Sequence, residues 1–322
     1  MDTSSPHPLP PSGSTVRPPA PADAEAVAAL KRAVDIARHG ESEVTAGRIR
    51  EEWTLPRLTL DTDAWVVESE EGAIVGYALC WVEEPPAGIV AELIVGPAHR
   101  GLDVEESLLG LCEARAAALV REAAPADGTL GVWAHESDAR LLELYARHDF
   151  ERTAAFVRLE RDLSGGLETP VWPPGITVAA FRPGVDDVAV HAAYEEGFLD
   201  HAGPGEADFE DWVRSHLGDE DQDLGLWLVA WDGDEVAGGI EAIETPAGGS
   251  MGELFVRRPW RGRGLARALM LRECAELAQR GVRTAYFGVD AANTGAMHLH
   301  ESVGFRATRG AVLYFEKALA AE

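Results

Sequence analysis

Two stretches of this chain carry short apolar runs broken by an acidic turn. The first, DAWVVESEEGAIVGYALCWV (residues 63–82), reads as a strand, a turn near Glu70–Gly72 and a second strand. The second, LWLVAWDGDEVAGGIEAI (226–243), repeats that construction. Ahead of the first hairpin, Asp23–Arg38 has the spacing of an amphipathic helix with Asp23 at its N-cap, and a further helix is predicted around Glu41–Glu52. Trp65 matches Trp227 and Gly76 matches Gly238, both 162 positions apart, while Arg100 matches Arg261 at 161 and Phe150 matches Phe305 at 155. Offsets this steady across separated landmarks predict tandem copies of one fold. The expected division is a mobile Pro/Ser-rich tail (1–22), a first copy (23–161), a linker DLSGGLETPVWPPG (162–175) and a second copy (176–322).

The densest signal lies in the second copy, GELFVRRPWRGRGLARALMLRECA. Leu254, Phe255 and Val256 form a short apolar strand. Pro259 breaks it, Gly262 and Gly264 make a turn, and a helix begins at Leu265. A strand leading through a glycine turn into a helix gathers unpaired backbone N–H groups at the positive end of the helix dipole, which suits an anion. Beyond it the pattern predicts a strand over Thr284–Asp290, a helix over Thr294–Val303 and a closing strand, AVLYFEKAL. Alternation of strands with helices makes each copy an α/β fold.

Charge narrows the anion. The chain carries a net charge of -27, yet six arginines and no acid fall between Arg257 and Arg272. A basic island in so acidic a protein suits a polyphosphate, and the overall balance argues against broad nucleic-acid or anionic-membrane binding. Lys31 and Lys317 are the only lysines. The three cysteines, Cys80, Cys112 and Cys274, sit in apolar surroundings without metal-ligand spacing, so they read as reduced core residues of a cytoplasmic protein that holds no metal. No apolar run approaches membrane-spanning length, and the first residues lack the basic start and apolar core of a signal peptide.

Neither G-x-x-x-x-G-K-[ST] nor G-x-G-x-x-G is present, but R-x-x-G-x-A is, at Arg261, Gly264 and Ala266. This resembles the acyl-CoA pyrophosphate loop of the GCN5-related N-acetyltransferase (GNAT) superfamily. The segment NTGAMHLHESVGF also fits the superfamily's N-x-x-A-x-x-L-Y-x-x-x-G-F through Asn293, Ala296, Leu299, Gly304 and Phe305. The resemblance implies an α/β sandwich around a mixed sheet in each copy, and acetyl-CoA as co-substrate, its pantetheine arm along Leu254, Phe255 and Val256. Arg261, Gly262, Arg263, Gly264, Leu265 and Ala266 are implied to hold its pyrophosphate, with Asn293 nearby. It also implies direct attack on the thioester by an amine of a small molecule or peptide, which needs a base for the amine and a proton for the thiolate.

The superfamily's usual base, eleven positions before the loop arginine, is here Ser250; Glu253 is the nearest carboxylate on that strand and Glu241 lies on the preceding one. Glu253 is taken as the base, although the same residue also reads as a strand-edge charge. His300 replaces the tyrosine that usually protonates the thiolate and is taken as the general acid. In the first copy Asp103 and Glu105 replace Gly264 and Ala266, and Tyr145 stands at the His300 position. Carboxylates there repel a pyrophosphate by on the order of a few kcal/mol per contact, so the first copy is expected to have lost acyl-CoA binding. From Glu195 to Asp223 there are eleven acids and one arginine, Arg214, a lip that attracts a cationic amine or is simply a solvated helix face. Phe198, His201 and Trp212 are candidates to line the acceptor cleft, and Phe198 and Trp212 read equally as core. The tandem layout is similar to that of the mycothiol synthases, which acetylate a cysteinyl aminosugar. A non-catalytic acyl-CoA sensor is the reading from another class. Oligomeric state is not legible.

Overall fold

The computed structural model describes residues 13–40, 42, 44–55, 58–84, 88–123, 127–199, 209–217 and 223–319. These divide into two compact units: the chain up to Phe156 together with the segment from Gly310, and Val157–Arg309.

In the first unit β1 (Ser14–Arg17) is followed by helices α1 (Ala24–His39), α2 (Ala46–Glu52) and α3 (Leu60–Asp63). Then come β2 (Ala64–Ser69), β3 (Ile74–Glu84), β4 (Gly88–Val95), α4 (Leu102–Ala123), β5 (Gly128–His135), α5 (Ala139–Arg147) and β6 (Glu151–Asp162). Helix α1 stops at Gly40, whose φ of 80° no β-carbon has to tolerate and whose N–H caps the Ile36 carbonyl. The sheet packs helices on both faces: Ala64, Val66 and Tyr77 meet α1 and α2, while Val67, Ala78 and Cys80 meet α4 and α5.

The second unit repeats this order. It comprises β7 (Ile176–Ala180), α6 (Asp187–Phe198), α7 (Phe209–Leu217), β8 (Trp227–Asp232), β9 (Glu235–Thr245) and β10 (Gly248–Val256). Helix α8 (Leu265–Gln279), β11 (Thr284–Asp290), α9 (Thr294–Ser302) and β12 (Arg306–Ala307) complete it. Its two cores again flank the sheet, one around Trp212, Trp227 and Phe255, the other around Leu269, Phe287 and Phe305. The α/β mixed-sheet sandwich in two copies is therefore the observed architecture.

Three boundaries depart from the sequence reading. A strand lies inside the expected tail: β1 pairs with β2 from Ser14↔Ser69 to Arg17↔Val66, and Arg17 bridges to Asp23 and Glu68. The expected linker is built into the second unit, where Leu163 is 4 % exposed and its N–H donates to the Arg283 carbonyl at 2.8 Å. The closing strand, β13 (Val312–Leu319), belongs to the first unit, pairing antiparallel with β5 from Val312↔His135 to Leu319↔Gly128. Conversely the distal half of β6 serves the second unit: Leu159 is 1 % exposed in its core, and β12 pairs with Leu159 and Glu160. Strand pairing is decided by which open edge lies near, so order along the chain did not predict this exchange.

Candidate functional site

The site forms where two parallel strands part. Strand β10 pairs with β11 at Gly249↔Ala285 and Ser250↔Tyr286. On its other side β10 loses register with β9 between Met251 and Leu254, a bulge that contains Gly252 and Glu253. Beyond it opens a cleft of about 640 Å³, with Leu254–Val256 on one side, Phe287–Asp290 on the other, and Arg261, Ala266, Asn293 and Ala296 at its end. The ring of Phe255 is buried under α6 and α7, so this residue offers the cleft mainly its backbone.

The loop after β10 is held from beneath. Trp260 is buried and its Nε1 donates to Asp232 at 3.0 Å. Gly262 and Gly264 adopt φ of 71° and 85°, in the left-handed region that favours glycine, and α8 starts directly after them without a side-chain cap. Its first-turn amides therefore stand ready for an anion. Arg261 is fixed by donating to the Val256 and Gly197 carbonyls, each at 2.8 Å. Leu265 is 1 % exposed, so its side chain anchors the helix and only its N–H faces the loop. A further hollow of about 410 Å³ is bounded by Gly262, Gly264, Ala266 and Leu299.

The basic island is mostly spent on the protein itself: Arg257 pairs with Glu196, Arg267 with Glu168 and Arg272 with Glu276. Arg263 is exposed and has no side-chain partner among the described residues. Asn293 caps α9, its Oδ1 accepting from the Ala296 N–H at 3.0 Å.

His300 lines the cleft but is 5 % exposed, packed edge-on against Phe287. Its Nδ1 is 2.6 Å from the Ala296 carbonyl, and a carbonyl only accepts, so Nδ1 carries the proton. Nε2 is buried without a hydrogen-bond partner among the described residues, and burial pushes the imidazole pKa below its ordinary value. A neutral ring in this tautomer has no Nε2 proton to hand to a thiolate. The geometry thus departs from the general-acid role expected of His300. His298 is peripheral, its Nδ1 bonded to the Thr294 carbonyl on the exposed face of α9.

Glu253 sits in the bulge, and sequence reasoning missed its neighbours. His216 on α7 places Nε2 3.2 Å from Glu253 Oε2 and Nδ1 2.9 Å from the Trp212 carbonyl. With a carboxylate oxygen on one side and a carbonyl on the other, each ring nitrogen faces an acceptor. Burial pushes the His216 pKa down, but the bonds to Glu253 and Trp212 and the charges of Glu253 and Glu241 outweigh it and raise it. The Tyr194 hydroxyl also bonds Glu253. Glu241 completes the cluster beside Gly252, where an added Cβ would approach its carboxylate to 3.3 Å. Burial pushes the Glu241 pKa up, opposed by His216 and reinforced by Glu253. Of the suggested cleft residues, Phe198 lines the cleft, Trp212 is fully buried core, and His201 lies outside the described residues, as does much of the acidic lip. Among the described residues no cluster of His, Cys, Asp or Glu is arranged to hold a metal ion, and no helix is long and apolar enough to cross a membrane.

Comparison with known proteins agrees with this geometry. The acetyltransferase (GNAT) family profile matches residues 188–305, which span the cleft and loop. The mycothiol acetyltransferase of Thermobispora bispora is 30 % identical over 303 residues, covering 91 % of this chain and 96 % of that protein. The chain belongs to the GNAT acetyltransferase family. A GCN5-related N-acetyltransferase from Sphaerobacter thermophilus, 30 % identical, superposes with a TM-score of 0.83 over 96 % of this chain and 97 % of its own. A tandem GNAT protein from the clavulanic acid biosynthesis pathway shares the fold at 18 % identity, with a TM-score of 0.70 over 95 % of this chain and 98 % of its own. The protein is thus an N-acetyltransferase with two GNAT-like units.

The first GNAT unit closes the corresponding place. Strand β4 pairs with β5 from Gly88↔Thr129 to Ala91↔Val132 and no further, but keeps unbroken register with β3 from Ile89 to Val95. Beside Leu93–Val95 only about 10 Å³ remains. Glu105 folds back to accept the Gly101 N–H at 3.2 Å, and Asp138 bridges Arg38 and Arg100 at 3.1 and 3.3 Å. Internal carboxylates fill the position of an anion. Tyr145, the counterpart of His300, is fully buried and donates to the Trp133 carbonyl.

Proposed function

We propose that the second unit is an acetyl-CoA-dependent N-acetyltransferase acting on a primary amine of a small molecule or peptide. The observation that carries this reading is the parting of β10 and β11 into a cleft that runs from Glu253 to the glycine turn of α8. The fit is supported by donor chemistry: amides before and within the first turn of α8, positive-φ glycines that admit close backbone approach, and the guanidinium groups of Arg261 and Arg263. Acetyl-CoA supplies the thioester carbon that the amine attacks. Leu254, Phe255 and Val256 hold its pantetheine arm, and Arg261 through Ala266 hold its pyrophosphate beside Asn293. First-unit residues provide no second acetyl-CoA site.

The amine must be deprotonated to react. An alkylamine with a pKa near 10.4 is neutral about once in two thousand molecules at pH 7, a penalty of roughly 4–5 kcal/mol. Glu253 is positioned to take the proton, with His216 and Tyr194 orienting its carboxylate and Glu241 beside it. His300 is left to pack α9 against β11. The relatives named mycothiol acetyltransferase support a second reading, in which the acceptor is a cysteinyl aminosugar; Ser250 at the usual base position distinguishes this chain from that pattern. The test is titration calorimetry with acetyl-CoA, followed by an amine panel including the cysteinyl aminosugar, read by mass spectrometry. Binding without turnover of any amine leaves only a sensor, and no binding ends the transferase reading.

A further inference from the structure

The polar cluster around Glu253 has a twin in the first unit, and that twin holds an ammonium group. Equivalence follows from ELIVGPAHRG (Glu92–Gly101) against ELFVRRPWRG (Glu253–Gly262), a constant offset of 161. It follows also from α1 and α6, whose N-caps Asp23 and Asp186 are 163 apart. Buried Val27, Leu30 and Val34 match buried Val190, Ala193 and Gly197 at the same spacing. Glu92 is therefore the counterpart of Glu253, and Lys31 of Tyr194.

In the first unit the Lys31 ammonium lies 2.6 Å from Glu92 and 3.1 Å from Glu52, and 5.4 Å from the centre of the Tyr77 ring. The lysine is 8 % exposed. In the second unit Tyr194 reaches Glu253 from the same helical position but brings no charge. The second carboxylate persists by another route: Glu241 on β9 stands where the first unit has Leu79, taking the part that Glu52 plays from α2. The second unit has no lysine, so Glu253 and Glu241 are met by His216 and the uncharged Tyr194, and a desolvated carboxylate gains from a cation.

We propose that the acceptor binds through a primary ammonium on a slender, unbranched arm, docked on Glu253 and Glu241 in the place that the first unit fills with its own Lys31. This deepens the transferase reading and rests on it. An ammonium has three donors to divide between two carboxylates, whereas secondary and tertiary amines lose donors and gain bulk. Selectivity for unhindered primary amines follows.

Tyr194→Lys tests the subsite directly, because it supplies in the second unit the ammonium that Lys31 supplies in the first. Acetyl-CoA affinity, measured by calorimetry, serves as the check on folding. The expected result is near-normal acetyl-CoA binding with the KM for a primary amine raised at least about tenfold, or an acetyl group on the introduced side chain in peptide mass spectrometry. Tyr194→Met, similar in reach without charge, loses the bond to Glu253 and is expected to raise KM several-fold less than Tyr194→Lys does. Glu253→Gln, which needs no larger side chain, is expected to raise amine KM by about 10–100-fold at unchanged acetyl-CoA affinity. Normal wild-type turnover with amine KM indifferent to both Tyr194→Lys and Glu253→Gln, and no acetyl group on residue 194, overturns the subsite alone. Failure of the wild type to bind acetyl-CoA overturns the transferase reading, and the subsite falls with it.

Discussion

The two units start from the same plan and differ at one pair of strands. In the first, β4 pairs with β5 only as far as Ala91↔Val132, and the stretch beyond is satisfied by internal groups: Glu105 and Asp138 at the anion end, Lys31 on Glu92 at the other. In the second, a bulge at Gly252–Glu253 frees β10 from regular pairing, and about 640 Å³ opens where the first unit leaves about 10 Å³. A pairing satisfied from within makes a stable wall, while one left unsatisfied makes a site. The lesson is that the first unit records, in its own side chains, the charges that the second leaves for ligands.

The largest effect is expected from separating the copies at the apparent linker. A chain beginning at Gly175 lacks Leu159 and Leu163, both nearly fully buried in the second core, and retains β13, whose partner β5 is missing. Each lost core leucine removes about 1.5–3 kcal/mol of burial, so no cooperative thermal transition is expected by circular dichroism. A cooperative transition would mean that the strand exchange is dispensable.

Next comes Ala266→Glu, which gives the second unit the carboxylate of Glu105. Acetyl-CoA affinity is expected to fall about 10²–10³-fold by calorimetry, with Tm nearly unchanged because position 266 is only half-buried on a helix. The reverse exchange, Glu105→Ala, is expected to confer no binding, since Asp138 and its bridges to Arg38 and Arg100 remain.

A smaller effect concerns Glu273 on α8, fully buried with neither carboxylate oxygen bonded among the described residues, where the first unit has Cys112. Burial, helped by the charge of Glu276, pushes its pKa up to about 9 from an ordinary 4.5. A folded-state pKa above the unfolded one gives stability that is complete below about pH 4.5 and is lost as pH rises toward 9. Glu273→Gln is expected to remove this loss, so its Tm advantage over wild type grows from pH 5 to pH 9 by an amount equivalent to a few kcal/mol. A constant Tm difference across that range would show that Glu273 is solvated.

The smallest change is expected from His300→Phe. With its Nδ1 proton committed to Ala296 and its Nε2 bare, turnover is expected to fall less than about tenfold in steady-state assays. A drop of 10²–10³ would restore the general-acid role and separate His300 from its packed counterpart Tyr145.

Much of the local structure was legible in the residues. The hairpins, the glycine turn, the helix at Leu265 and the strand at Thr284–Asp290 all appear where periodicity and turn chemistry put them. The Glu253 environment was partly legible, because ELIVGPAHRG and ELFVRRPWRG announce that Glu92 and Glu253 are equivalent. Tyr194 and His216 were not, since they reach Glu253 from α6 and α7, and no spacing in the chain encodes that approach. The arginine island was legible as charge but not as use: Arg257, Arg267 and Arg272 meet acids whose proximity, Glu276 apart, only folding creates.

By itself the sequence determined that a fold occurs twice and that acids in the first copy's loop stand where the second has Gly264 and Ala266. These follow from short-range causes: glycine's access to positive φ, the helix dipole, and the repulsion of acids. Tertiary structure decided which edge β13 would join, how far β10 would part from β11, and which side chains would surround Glu253. Such choices compare distant segments competing for the same edge or charge. Their energies arise only when those segments meet, so no local pattern carries them.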